Sequence, residues 1–98
     1  MIIGEIESSD GYHDLYDKLL EFMKIHFRNV ESGSQGDAYI WITNKTEKVS
    51  LDTFSSIRFQ IKADASSSSL VKLVVNTLKK QYTVQLYPEP ISESHEEY

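Results

Sequence analysis

Apolar residues along this 98-residue chain recur with two different periods. Tyr12, Leu15, Tyr16, Leu19, Leu20, Met23, Phe27 and Val30 follow one another at steps of three and four. That spacing predicts a helix of about five turns with one apolar stripe. Asp10, Asp14, Asp17 and Glu21 form a second stripe on another side, and Lys24 and Arg28 fall in the last turn. Acids early and bases late both suit the helix dipole. Ser8, Ser9 and Asp10 precede the periodic segment and read as a helix start, because their side chains accept from the free N–H groups of a first turn.

Elsewhere the period is two. Residues 2–6 are short and β-branched and read as a strand. Across 38–43, Ala38, Ile40 and Ile42 take one face and Tyr39, Trp41 and Thr43 the other. In the strand expected over 56–63, Ile57, Phe59, Ile61 and Ala63 oppose Arg58, Gln60 and Lys62. A last strand spans 82–87, with Tyr82, Val84 and Leu86 inward, and Pro88 and Pro90 end it. Residues 31–37 read as a loop and 44–48 as a polar turn. Residues 49–52 extend a flanking strand, and Phe54 breaks the alternation. Leu70, Val71, Leu73, Val74, Val75 and Leu78 predict a second helix, started by the polar run 64–69 and closed by Lys79 and Lys80. Its β-branched content keeps a buried strand as the rival assignment. Residues 91–98 are polar and acidic and are expected to be disordered.

The expected order is strand, helix, strand, strand, helix, strand. It resembles the ferredoxin-like βαββαβ arrangement, which implies two helices on one face of a four-stranded antiparallel sheet. The expectation is one α+β domain over residues 1–90 with an acidic tail over 91–98. The resemblance is one of element order and brings no functional motif with it.

Charge divides the chain further. Residues 1–37 hold eight acids and three bases (−5), residues 38–87 three acids and seven bases (+4), and residues 88–98 four acids and no base (−4). Such polarity suits a charged partner. With no cysteine, disulfides, thiolate metal sites and thiol nucleophiles are excluded. The acidic N-terminal stretch does not read as a signal peptide and no apolar run is long enough for a membrane, so the expected location is cytoplasmic.

Candidate chemistry is sparse. His13, His26 and His95 do not stand three or four apart, so no helical metal-ligand pair forms, and no metal or cofactor is expected. No serine sits in a Gly-x-Ser-x-Gly turn. The segment Gly33-Ser34-Gln35-Gly36 is too short for a nucleotide loop. The polar run Ser66 to Ser69 reads as a cap rather than an anion site. Asp14, Asp17 and Glu21 lie on an exposed helix face, where general acid–base work has no cleft. An enzyme is not expected.

Two surfaces remain. In the expected fold, Tyr39, Trp41, Arg58 and Lys62 share the uncovered sheet face. Aromatics interleaved with bases there resemble the single-stranded RNA platform of RNA-recognition-motif domains, although the strand carrying Arg58 and Lys62 lacks that family's glycine and exposed aromatics. Glu5 and Glu7, on a neighbouring strand, are placed to neutralise Arg58 or Lys62. The other surface is the acidic stripe Asp10, Asp14, Asp17 and Glu21. The expected function is a small acidic interaction domain, of the inhibitor or immunity type, that binds a basic protein. The alternative is a single-stranded nucleic-acid-binding module, and self-association through the sheet would give a homodimer.

Overall fold

The computed structural model describes residues 1–54, 56–64 and 68–92, with the side chains of Tyr12, His13 and Gln35 outside the description. In chain order the elements are β1 (Ile2–Glu7), α1 (Tyr12–His26), β2 (Val30–Gln35), β3 (Asp37–Thr43), β4 (Lys48–Asp52), β5 (Gln60–Ala63), α2 (Ser69–Leu78) and β6 (Thr83–Ile91). The strands form one six-stranded sheet in the order β2-β3-β4-β5-β1-β6, with every neighbouring pair antiparallel. The four-stranded ferredoxin-like arrangement is therefore incorrect.

Two strands make the difference, and both arise from pairing rather than propensity. β2 reads Val-Glu-Ser-Gly-Ser-Gln, a composition that favours a loop. It becomes a strand because Gly36, at φ 81°, folds it straight back onto β3, where Val30 faces Ile42 and Ser34 faces Ala38. β4 is tied to β3 across a tight turn in which the Asn44 side chain accepts from the backbone N–H of Thr46 and Glu47. Its register sets Leu51 beside Ile40 and Val49 beside Ile42.

The remaining differences are local. α1 ends at His26, so Val30 opens β2 instead of closing the helix. Gly11 occupies its N-cap without a side-chain bond, and Ser8 instead accepts from the Asp10 backbone N–H. β5 is shorter than residues 56–63: Phe59, Ile61 and Ala63 are buried as expected, while Ile57 is 84% exposed. β6 runs through Pro88 and Pro90 because it is an edge strand, where a missing N–H is tolerated. Ile91 closes it opposite Ile2, and residues 93–98 of the expected tail lie outside the described residues. α2 is a helix, with Ser68 capping it through the backbone N–H of Val71.

Both helices cover one face of the sheet. Leu15, Leu19 and Met23 of α1 and Leu70, Val71, Val74 and Leu78 of α2 join Ala38, Ile40, Ile42, Val49, Leu51 and Ile61 in one core. At its border Tyr82 meets Phe22 edge-on at 5.6 Å. Burial raises the Tyr82 hydroxyl pKa from its ordinary value of 10.0, with Lys18 opposing the shift and Asp10 adding to it.

Two outcomes follow. Leu19→Ala should cost about 2–5 kcal/mol by denaturant unfolding, while Asp17→Ala, on the opposite side of α1, should stay within about 0.5 kcal/mol. Because the raised Tyr82 pKa lies above that of the unfolded chain, its contribution is intact below about pH 10 and is lost as pH climbs through the folded value. Tyr82→Phe should flatten the alkaline limb of the stability profile and leave the neutral region's slope unchanged.

Candidate functional site

The uncovered sheet face is built by the strand positions left over from the core. Alternation sends Tyr39, Trp41 and Thr43 of β3, Ser50 and Asp52 of β4, and Gln60 and Lys62 of β5 to that side. β1 contributes Glu5, opposite Gln60. The sequence places Glu5, Tyr39, Trp41, Thr43, Gln60 and Lys62 on this face but not Ser50 or Asp52, and the charge of Lys62 is spent within it.

Lys62 and Asp52 form the central contact. Their charged atoms are 2.7 Å apart, and the side chains are only 10% and 3% exposed. Both residues sit in the layer that alternation leaves without helix cover, yet neighbouring side chains bury them. The Ser50 hydroxyl donates to the second Asp52 oxygen at 2.8 Å, and the Phe54 backbone N–H approaches the first at 3.3 Å. The Lys62 ammonium also lies 5.6 Å from the Phe54 ring. Asp52 is the residue that sequence reasoning missed. A polar alternation position opposite a lysine-bearing strand was the available signal, but it required the β4–β5 register. Gln60 Oε1, in the same layer, is buried without a hydrogen-bond partner among the described residues.

Arg58 is paired as well. It reaches Glu5 at 3.1 Å, the cross-strand neutralisation expected from the sequence, and the Tyr87 hydroxyl donates to the other Glu5 oxygen at 3.4 Å. The aromatic end of the face is self-packed: Tyr39 and Trp41 rings are 4.5 Å apart, Tyr39 and Phe54 6.2 Å. The Lys48 ammonium stands 3.7 Å over the Trp41 ring. Of the cations on this face, Lys62 is buried and ion-paired and Arg58 is ion-paired, whereas Lys48 keeps its charge over the Trp41 ring.

The acidic stripe is arranged differently. Asp10 lies before α1 and pairs with Lys18 at 3.2 Å. Asp14, Asp17 and Glu21 project from the exposed side of the helix, opposite Leu19. None of the three makes an ion pair with another described residue. Beside them Asp17, Leu20, Glu21, Lys24 and Ile25 line a shallow hollow of about 350 Å³, and Ile25 is 72% exposed. The two groups of expected site residues thus lie on separate surfaces: Tyr39, Trp41, Arg58 and Lys62 on the sheet, the carboxylates on the far side of α1. Among the described residues no three His, Asp or Glu side chains converge as a metal site would require.

Compared with protein-family models, curated proteins and solved structures, the chain matches none.

The two sheet ion pairs should differ sharply in weight. Lys62→Ala leaves a buried carboxylate uncompensated and should cost about 3–5 kcal/mol in urea unfolding. Arg58→Ala breaks a solvent-screened pair and should cost less than about 1 kcal/mol. Equal losses would show that Asp52 and Lys62 are not buried against each other in solution.

Proposed function

We propose that this protein is an interaction domain whose acidic α1 surface engages a basic protein partner, in the manner of a small inhibitor or immunity-type factor. The observation that carries this reading is the contrast between the two surfaces. Lys62 and Arg58 are neutralised at 2.7 and 3.1 Å, whereas Asp14, Asp17 and Glu21 make no ion pair with any described residue.

Spacings of three and four residues bring those carboxylates together on one side of the helix, where like charges repel by a few tenths of a kcal/mol per pair. Lys18 and Lys24 stand at three- and four-residue steps from these acids and offset part of that repulsion, and a cationic partner would relieve the remainder. Ile25 and Leu20 beside them supply apolar contact area, which charge alone does not. A surface of this kind acts chiefly on encounter: its field draws in a basic partner and raises the association rate. The nucleic-acid alternative needs cations free to meet phosphates, and the pairing on the sheet counts against it.

The test is Asp14→Lys, Asp17→Lys and Glu21→Lys combined. The triple variant should remain folded, with a loss of about 1–2 kcal/mol in urea unfolding from the added lysine repulsion and the lost first-turn acid. With immobilised protein at low salt, a basic protein retained by the parent should be lost by the variant. In kinetics with that partner, the association rate should drop about ten- to a hundredfold and the dissociation rate change less. Retention of the same partners by both proteins would overturn the proposal.

A further inference from the structure

We propose that the outer edge of β2 takes up an extended, basic segment of a partner protein as a seventh strand. This builds on the reading of a basic protein partner, but it uses a separate surface.

The hydrogen-bond phase of the sheet can be worked out from its borders. The Thr43 N–H donates to the Asn29 carbonyl at 3.1 Å, and on the other side of β3 the Thr53 N–H donates to the Ala38 carbonyl at 3.0 Å. With Val30 opposite Ile42 and Gly33 opposite Tyr39, Glu31, Gly33 and Gln35 spend their peptide groups on β3. Ser32 and Ser34 turn theirs outward. β2 is a terminal strand, so no described strand receives them.

The two sheet edges are unequally defended. β6 carries Pro88, Glu89 and Pro90, which obstruct a further strand. β2 has neither proline nor lysine, and its centre is Ser-Gly-Ser. Natural edges are usually blocked, and this one carries a single charge, that of Glu31.

The side-chain layer beside the edge specifies what fits. Gly33 has no side chain because the Tyr39 ring lies over it: a Cβ there would be 2.5 Å from Tyr39 Cε1. The ring thereby reaches across β2 toward the edge. Ser32, Gly33, Ser34, Asp37, Tyr39 and Phe54 surround a depression of about 500 Å³, and Phe54 is 51% exposed. Asp37 is exposed and makes no ion pair with a described residue.

A residue of an added strand opposite Gly33 projects its side chain into this depression, because paired residues share a face. An arginine there lays its stem and guanidinium along the Tyr39 and Phe54 rings and points its charge at Asp37. A glutamate in the same place meets Asp37 with like charge. Main-chain bonds to Ser32 and Ser34 supply affinity, and the pocket supplies the preference for a cation.

The probe is the capped peptide acetyl-Thr-Val-Thr-Arg-Thr-Val-Thr-amide, compared with its central-glutamate counterpart. Titration of the full chain, followed by amide NMR and hydrogen exchange, should show saturable binding of the arginine peptide. The Ser32 and Ser34 amides should then exchange at least about tenfold more slowly. The glutamate peptide should bind about tenfold or more weakly, and Asp37→Lys should reverse that order. Ser32→Pro should abolish binding. Should that variant misfold, N-methylating the peptide amides that face β2 should do the same with the parent protein, while methylating the outward amides should not.

Absence of Ser32 and Ser34 protection with either peptide would overturn the proposal, as would binding that survives methylation of the facing amides. So would slow exchange of those amides in the free protein that rises with concentration alongside dimer formation, since the occupant would then be a second copy. The readout at the Ser32 and Ser34 amides is separate from α1. Failure here leaves the α1 reading standing, and failure of the triple lysine variant leaves this one testable.

Discussion

A six-stranded sheet with two helices on one side must close its other side without a second layer. That constraint organises the molecule. On the helix side the solution is apolar: Ala38, Ile40, Ile42, Val49, Leu51 and Ile61 are essentially sealed beneath Leu19, Met23, Val74 and Leu78. On the other side it is electrostatic and aromatic. Asp52 and Lys62 neutralise each other at the centre, Glu5 and Arg58 toward β1, and Tyr39, Trp41 and Phe54 pack together toward β2. A buried ion pair is weak as a source of stability but demanding in geometry, since either partner alone would be an uncompensated charge. It therefore holds β4 and β5 in one register and denies Lys62 to an external anion.

What was legible in the sequence follows from the same constraint. The faces of β3 and the buried side of α1 could be read from periodicity, because each has one side that must avoid water. The Glu5–Arg58 pair could be anticipated from the proximity of their strands. β2 could not, because Ser32, Gly33 and Ser34 carry almost no strand preference and acquire their form from β3. Missing it and leaving residues 49–52 without a strand of their own turned a six-stranded sheet into a four-stranded one. Pro88 and Pro90 misled in the opposite direction: a proline ends a central strand, but β6 lies at an edge.

The candidate surfaces show the same division. Charge patterning located Asp14, Asp17 and Glu21 correctly on an exposed helix face. The sheet residues were also placed together, yet their chemistry could not be judged without Asp52, whose relation to Lys62 depends on the β4–β5 register. An apparent basic-aromatic platform thus became a face whose Lys62 and Arg58 are ion-paired within it, and the functional proposals rest instead on the helix carboxylates and the β2 edge.

The central claim is that Arg58 and Lys62 of the uncovered sheet face are neutralised within it and that Trp41 is already engaged. The most direct measurement is titration of the wild-type protein with single-stranded RNA at low salt, following fluorescence from Trp41, the sole tryptophan. Because its ring is already engaged by Tyr39 and Lys48, the account predicts no saturable change in emission. Saturable quenching that disappears as salt is raised would mean that bases stack on Trp41 and that cations on this face are free to meet phosphate, and would contradict it.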